Sequence, residues 1–488
     1  MKVSQFRRFL ARSGLLAILA IAGCGGGAQM AGVDSGGTGS FAVGTIGGFG
    51  SIIVNDIRYD DSRATVRDAY GRSRSTADLR LGMVVEVEGS VLAPTPAGAL
   101  YVQEGVATDI RLGGDIVGPL QAANQGASQI TVLGQTVDLA PTTIYGDELA
   151  GGLPTLATLP LGSILEVHGF PAPASNGRYT ATRVDLRPAA DEYRLVGTVH
   201  DHDLGSRRFS IGETRIDYAA LSIDEARSVG VIEGASARVR IGTVPRLDGT
   251  WVMLQAQSAA PMLADHEDVD IEGLVTAVDG TVAFTVNGVP VDASRAVIEP
   301  AAARFAVGVR ITVSGSLRGG VLVADLVRVE PVAAPDGTQA RRRITLSGPV
   351  AALTLDGLQL RVRGVRVNLA EAIFEGGILA LLRNGISVEV EGRLALDGSS
   401  VDATRIRFVA RGSDGSPARG NDDRNPESPG NSNAGNGNRS AGAGESGNGG
   451  NRNDDDDDDD DKGKGKKSSA GLSAILASLS NSEAGSIQ

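Results

Sequence analysis

The sequence is poor in the side chains that carry most enzyme chemistry. Its 488 residues include one cysteine, one tryptophan and four histidines, and aromatic residues make up 4% of the chain. It contains no Gly-x-Ser-x-Gly elbow, phosphate-loop lysine motif or His-Glu-x-x-His pair. These absences remove the usual signals of a serine, nucleotide-dependent or zinc enzyme. We therefore expect a protein that is not an enzyme and that has no cofactor.

The charge balance narrows the range of partners. The formal net charge is −12, and loss of an N-terminal leader carrying four basic residues would take it to −16. Residues 24–410 hold 44 acidic and 33 basic residues, so the body of the chain is acidic. Proteins that bind single-stranded nucleic acid need basic grooves and stacked aromatic rings. We expect no nucleic-acid partner.

The N-terminus predicts export and a lipid anchor. Four basic residues precede an apolar run, Leu15–Ala22, that is far shorter than the ~20 residues needed to span a bilayer. The run ends in Ala22-Gly23-Cys24, which resembles the lipobox of bacterial lipoproteins. This resemblance implies a signal peptide at 1–23, lipid on Cys24 and, because no aspartate follows the cysteine, the outer membrane, facing the periplasm or the cell surface. The alternative is an ordinary cleaved signal beside a chance cysteine.

A repeat dominates the rest of the chain. One turn position recurs at steps of 78, 79, 75 and 76 residues, and a glycine further on keeps the same register. The turn residues are Asp60, Asp138, Asp217, Asp292 and Asn368, and the glycines are Gly82, Gly162, Gly234, Gly308 and Gly385. After a glycine-rich tether at 24–40, we expect five modules, at 41–112, 113–189, 190–262, 267–331 and 341–410.

Each module reads as an all-β unit. In the fourth module, Val269–Gly273 alternates as a strand, and Asn287-Gly288 predicts a type I′ hairpin. An alanine-rich stretch, Pro300–Phe305, predicts a short linker or helix before two further strands. Three strands, a linker and two strands predict a small five-stranded OB-like barrel, although an open sandwich has similar spacing. Glycines seven apart, such as Gly308 and Gly315, predict bends or bulges around the fourth strand.

Two segments carry a family resemblance. Gly44–Asn55 followed by Leu81–Gly89 looks like a bacterial domain-of-unknown-function family, DUF5666. The fourth module resembles this family nearly as well, the fifth in part, and the second and third in register only. The family occurs as repeats on exported proteins and lipoproteins and has no established activity. The resemblance therefore implies a repeated module without assigning site residues.

The C-terminal part of the chain has a different composition. Residues 411–467 are rich in glycine, asparagine and aspartate and include eight consecutive aspartates, Asp454–Asp461. Such a segment predicts a disordered acidic tail, because it cannot bury enough apolar surface to fold. Residues 468–488 have leucine and isoleucine at helical spacing. They predict either a short amphipathic helix or a frayed end.

Few polar residues form a candidate site. His200 and His202 are two apart with carboxylates beside them, so they are candidate metal ligands, although an exposed turn is the simpler interpretation. The aspartates of the repeat, such as Asp60 and Asp292, predict side-chain caps on the following turn. Glu86 and Glu88, two apart on a strand, are expected to face solvent. The basic run at 341–343 is expected to be a solvated linker end.

These observations lead to one functional expectation and two alternatives. We expect a lipid-anchored envelope protein whose modules extend outward from Cys24 and act as a non-catalytic binding or structural scaffold. Its expected partners are the membrane, through the lipid, and an envelope protein or glycan. One alternative is a metal-dependent envelope hydrolase with a site between modules, using His200 and His202. Another is a mechanical spacer that binds nothing.

Overall fold

The computed structural model describes residues 37–409, except 91, 96–100, 114, 173–176, 260–264, 302 and 331–340. The predicted signal peptide, Cys24, most of the tether, the acidic tail and the C-terminal helix lie outside the described residues. No helix in the described part of the chain is both long and apolar enough to cross a membrane.

Strands fall into five consecutive groups, which we call modules 1 to 5. Module 1 contains β1 (Gly37–Phe49), β2 (Ile52–Val54), β3 (Ile57–Asp60), β4 (Thr65–Asp68), β5 (Ser73–Arg74), β6 (Val84–Ser90), β7 (Ala93–Pro94) and β8 (Gln103–Leu112), with a 3-10 turn at Thr76–Asp78. Module 2 contains β9 (Asp115–Asn124), β10 (Gln129–Val132), β11 (Gln135–Tyr145), a 3-10 turn at Asp147–Leu149, α1 (Leu153–Leu156), β12 (Ile164–Pro171) and β13 (Arg178–Arg187).

The remaining modules repeat this order. Module 3 contains β14 (Tyr193–Thr198), β15 (His200–Asp203), β16 (Arg208–Ile211), β17 (Thr214–Asp217), α2 (Ile223–Ser228), β18 (Ser236–Ile241) and β19 (Trp251–Ser258). Module 4 contains β20 (His266–Asp279), β21 (Ala283–Val286), β22 (Val289–Asp292), β23 (Val297–Glu299), β24 (Arg310–Arg318) and β25 (Val321–Val329). Module 5 contains β26 (Arg343–Thr354), β27 (Gln359–Val362), β28 (Val365–Asn368), β29 (Ile373–Glu375), a 3-10 turn at Leu379–Leu381, β30 (Ser387–Leu394) and β31 (Ser400–Phe408).

Each module closes into a five-stranded barrel. In module 4, β20 pairs with β21, β21 with β22, and β22 runs parallel to β25. β25 then pairs with β24, and β24 pairs back to β20. The ring excludes the open sandwich and confirms the all-β, OB-like prediction. The expected linker differs from the prediction in one respect: in module 4 it begins with a short strand, β23, which runs parallel to β25.

The repeated hairpin follows from local turn chemistry. Asn287 and Gly288 have φ of 48° and 85°, which confirms the type I′ turn. The Asn287 amide folds back on the first strand, where Nδ2 donates to the Glu272 carbonyl at 3.1 Å and Oδ1 accepts the Leu274 N–H at 3.1 Å. A Cβ at Gly273 would lie 2.1 Å from this amide. The recurring glycine and asparagine are therefore explained by packing.

The glycine that ends the fourth strand permits a bulge. In module 4 the β24–β25 register shifts between Ser314 and Gly315, and a Cβ on Gly315 would lie 2.1 Å from the Val323 carbonyl oxygen. The same shift occurs before Gly89, Gly169 and Gly392 in modules 1, 2 and 5. The predicted bulges are therefore confirmed.

We had expected the modules to extend outward one after another, but the structure shows a different arrangement. β1 of module 1 runs parallel to β20 of module 4 and also pairs with β26 of module 5, at Gly48↔Thr345. Modules 1 and 5 share one hydrophobic core and modules 2 and 3 share another. The described modules form one compact unit. The first strand of the repeat region therefore organises the last two modules.

Candidate functional site at the module boundaries

One large cavity lies between modules and not inside a barrel. It has a volume of about 680 Å³, and side chains of modules 1, 2, 3 and 5 line it. Module 2 contributes Tyr145, Glu166 and His168, and module 5 contributes Arg363. Its size is within the range of small-molecule sites, so its polar groups form a candidate site.

Glu166 and His168 are two deeply buried titratable groups of this cavity. They alternate along β12 with Leu165 and Val167, which fill the barrel, so they lie on its outer face. They are nevertheless only 5% and 1% exposed. His168 Nε2 lies 3.5 Å from Glu166 Oε1, and the Arg187 guanidinium contacts Oε2.

The electrostatic setting keeps Glu166 ionised. Burial alone would raise the pKa of its carboxyl, but the hydrogen bond and charge of His168 and the charge of Arg187 together hold this pKa well below its usual range. A carboxylate with a lowered pKa is a poor proton donor near neutral pH, because a general acid must be protonated there. Glu166 is therefore suited to a structural ion pair and not to proton donation.

Other charged side chains around the cavity connect modules to one another. Arg183 of module 2 donates to the Leu81 carbonyl of module 1 at 2.9 Å. Asp147 of module 2 accepts from module 5, with Arg361 at 2.9 Å and Arg366 at 3.2 Å. This hydrogen bond and these two ion pairs cross module boundaries, so they stabilise the arrangement of the barrels.

A buried polar network joins modules 1, 4 and 5. The Thr45 N–H and hydroxyl of module 1 donate to Glu272 Oε2 at 2.6 and 2.7 Å. Glu272 is 2% exposed, and its Oε1 accepts from Arg310 Nε at 2.9 Å. Burial opposes ionisation of Glu272, but Arg310, Arg342 and the Thr45 bonds lower its pKa. The carboxylate is therefore the hub of the three-module contact.

This network changes the repeat hairpin of module 1. The N–H equivalent to that of Leu274 belongs to Thr45 and donates to Glu272, so it is not available to Asn55. Asn55 Oδ1 is consequently buried without a hydrogen-bond partner among the described residues. A buried acceptor without a donor costs about 1–3 kcal/mol. The contact between modules is thus favoured over an ideal hairpin.

The basic run at 341–343 is not the solvated linker end that we expected. Arg341 Nε donates to the Leu394 carbonyl at 2.7 Å, and its guanidinium contacts Asp402. Arg342 reaches the Thr45 hydroxyl in the buried network. Arg343 is exposed. Two of the three arginines are therefore structural: Arg341 through contacts within module 5, and Arg342 through Thr45 of module 1.

The candidate metal ligands are bound to protein groups. His200 Nε2 donates to the Gly212 carbonyl at 2.9 Å, and Nδ1 lies 2.9 Å from Asp201 Oδ2. His202 Nε2 is hydrogen-bonded to the Tyr218 hydroxyl at 2.7 Å, and burial lowers the pKa of its ring. Among the described residues no group of three or more potential ligands is placed to hold a metal ion.

Most repeat aspartates cap turns, as expected. Asp60, Asp217 and Asp292 each accept the N–H of the residue two positions on, at 3.0, 2.7 and 2.9 Å. Asp138 differs, because both of its oxygens accept from the Arg178 guanidinium, at 2.7 and 2.9 Å.

The sequence did not reveal Glu166 and His168 as buried groups. They occupy the strand position that Glu86 and Glu88 occupy in module 1, where we expected solvent. Glu88 is exposed, as expected, but the Glu86 side chain is only 17% exposed, since Arg111 and Arg238 lie 3.1 and 3.6 Å from it. The one available signal was the histidine, which replaces a glutamate at the same repeat position.

Fold and site together define a class: a multi-barrel protein with closed OB-like modules whose polar groups meet at the boundaries. Three segments, residues 117–185, 272–328 and 347–407, match the model of the family described as Domain of unknown function (DUF5666). The chain therefore carries tandem DUF5666 repeats. The matched segments lie in modules 2, 4 and 5; module 2 is thus closer to the family than its register alone indicated.

Comparisons with individual proteins add little. No curated protein matches the chain. Among solved structures, "drosophila Unr CSD456" is 11% identical and the match covers 46% of this chain and 99% of that one, with a TM-score of 0.11. A superposition of this quality carries no argument about fold or function.

Proposed function

We propose that this chain is a lipid-anchored protein of the bacterial outer membrane that acts as a non-catalytic scaffold, with its repeated β modules presented to an envelope protein or glycan. One observation carries the proposal. Several buried charged groups at the module boundaries are held by hydrogen bonds and ion pairs, as in the contacts of Glu272 with Thr45 and Arg310 and of Glu166 with Arg187. Such pairing suits a body of fixed shape.

Binding and shape are tested on the full-length chain with Cys24→Ser, which would be purified without lipid. A fixed body gives a single compact scattering envelope for the modules and resists proteolysis at the module junctions. Independent modules on flexible linkers would be cut there first and would contradict the scaffold. Immobilised protein should also retain one envelope component reproducibly; absence of any retained component favours a spacer.

The anchor is tested in cells. Wild-type protein should incorporate labelled fatty acid and fractionate with outer membranes, while Cys24→Ser should be released as a soluble product. The lipid supplies the membrane affinity, because each buried methylene contributes about 0.8 kcal/mol. Identical fractionation of the two proteins would remove the anchor from the proposal.

A metal-dependent hydrolase is the alternative, since a cavity of suitable size does lie between modules. Its candidate metal ligands are His200 and His202, which do not line that cavity. Titration with zinc and manganese separates the two functions, because a hydrolase predicts stoichiometric binding that is lost in His200→Ala. Binding that persists in that variant, or no binding, leaves the scaffold as the better account.

A further inference from the structure

A second cavity, of about 300 Å³, lies where modules 1, 2, 4 and 5 meet. Its wall includes Asn55 of module 1, Thr142 of module 2, Thr312 of module 4 and residues 341–343 of module 5. Four modules contribute, so the cavity exists only in the assembled body. Its volume is at the lower end of the range for small-molecule sites.

Arg342 is buried there without a carboxylate of its own. Its Nη2 contacts the Thr45 hydroxyl and lies 3.7 Å from Glu272 Oε1, which already accepts from Arg310 at 2.9 Å. Its Nη1 is buried and makes no hydrogen bond to the residues that the structure describes. Burial and the nearby Arg310 charge lower the pKa of Arg342. Two guanidinium groups therefore share one deeply buried carboxylate, and the part-exposed Glu330 lies 3.5 Å from Arg310.

Arg343 provides a second, independent sign of excess positive charge. It lies directly opposite Arg393 across β26 and β30, and both side chains are exposed. Like charges at directly opposite positions destabilise a strand pair. Neither arginine has an ion pair within the described ranges, and Glu391, on the same strand face as Arg393, is paired with Arg405 at 3.5 Å.

The remaining polar groups of the wall are mostly paired or neutral. Asp56 is bound by Arg328 at 3.2 Å, and its charge also partly opposes the lowering of the Arg342 pKa. Hydroxyl groups of Thr142, Thr312 and Thr345 complete the lining. Hydroxyl and guanidinium donors together suit an oxyanion, and the guanidinium fork matches carboxylate and phosphate geometry.

We infer that this cavity binds the carboxylate or phosphate group of a small acidic sugar, held between Arg342 and Arg343, with threonine hydroxyls and the paired rim carboxylates facing the sugar hydroxyls. The inference rests on the proposed binding role and names its ligand class. A long polyanion is disfavoured, because the surrounding modules are acidic.

Calorimetry on the full-length Cys24→Ser protein tests the site with glucuronate, glucose 6-phosphate, inorganic phosphate and glucose. An acidic sugar should bind once per chain with a Kd below ~1 mM, and more weakly at high salt. Glucose should not bind. Inorganic phosphate that binds as tightly as both acidic sugars would overturn the sugar assignment, and no binding by any anion would overturn the site.

Variants locate the binding. Arg343→Gln changes an exposed residue and should keep the fold while weakening binding about tenfold, the loss expected for one charge-assisted contact. Arg295→Gln, another exposed arginine outside the cavity, is the matched control and should bind as wild type. Equal affinity in Arg343→Gln and wild type would exclude this cavity. That result would leave membrane anchoring and capture of an envelope partner untouched, so the two proposals fail separately.

Discussion

Asp270 gives the sharpest test of how the modules are joined. It lies on β20 between β1 of module 1 and β24, opposite Ala42 and Ser314, and it is 5% exposed. Within the described part of the chain, its carboxyl accepts one side-chain hydrogen bond, from the Ser314 hydroxyl. Burial raises the pKa of Asp270 to about 6, and Asp268 adds to this effect, while Ser314 and Arg328 oppose it.

Proton linkage gives the sign and the size of the effect of Asp270 on the free energy of unfolding. A carboxyl with a raised pKa binds its proton more tightly in the folded protein, so its contribution to stability is present below pH ~4 and is lost as the pH rises through about 6. A shift of about two units corresponds to about 3 kcal/mol. At neutral pH the ionised Asp270 therefore weakens the contact between modules 1 and 4.

Asp270→Asn should remove this cost. We expect the variant to match wild type near pH 4 and to exceed it by up to ~3 kcal/mol at pH 8. Urea denaturation of the Cys24→Ser protein between pH 4 and 8 measures the difference. Asp279→Asn, at an exposed position of the same strand, is the control and should show no such trend. An Asp270→Asn protein that is less stable at pH 8, or whose advantage does not grow with pH, would refute the reasoning.

Three further substitutions test the fold. Gly315→Ala places a methyl group 2.1 Å from the Val323 carbonyl oxygen. It should lose clearly more stability than Gly308→Ala, where positive φ alone costs ~1–2 kcal/mol. Equal losses of stability in urea denaturation would contradict the bulge. Glu166→Gln should be less stable than wild type at pH 7, because the pKa of Glu166 is lowered in the folded protein. The two stabilities should converge as the pH falls below ~4.3, the glutamate pKa in the unfolded chain. A stability difference that does not change with pH would argue against the ion pair. Thr45→Val keeps the backbone N–H but removes the hydroxyl that donates to Glu272 and accepts from Arg342, so it should cost ~1–3 kcal/mol by calorimetry. An unchanged stability would contradict the buried network.

Local features of the fold were predictable because local chemistry determines them. The type I′ hairpin needs two residues that tolerate positive φ, and Asn287-Gly288 supplies them. The bulge needs a residue without a side chain, which Gly315 supplies. Turn capping by Asp292 involves a residue only two positions away. Each of these signals recurs in most modules, so the repeat itself indicated the barrel.

The arrangement of the modules was not predictable in the same way. Alternation along a strand separates the barrel interior from its exterior, but it does not separate solvent from a neighbouring module. Thr45, Glu272 and His168 all occupy exterior positions and are buried by other modules. The close approach of β1 to β26 depends on Gly48, where a Cβ would lie 2.3 Å from the Thr345 carbonyl oxygen. No local pattern distinguishes that glycine from the others.

The outer faces of the barrels differ from one module to the next, and this difference bears on function. The two exterior positions before the bulge are Glu166 and His168 in module 2, which are buried against neighbours. In module 4 the second of these positions is Ser314, which donates to Asp270, and in module 5 both are glutamates paired with arginines of β31. Equivalent positions in these three modules therefore serve different contacts. A ligand that depends on such boundaries must bind the assembled body, and its stoichiometry should be one per chain, not five.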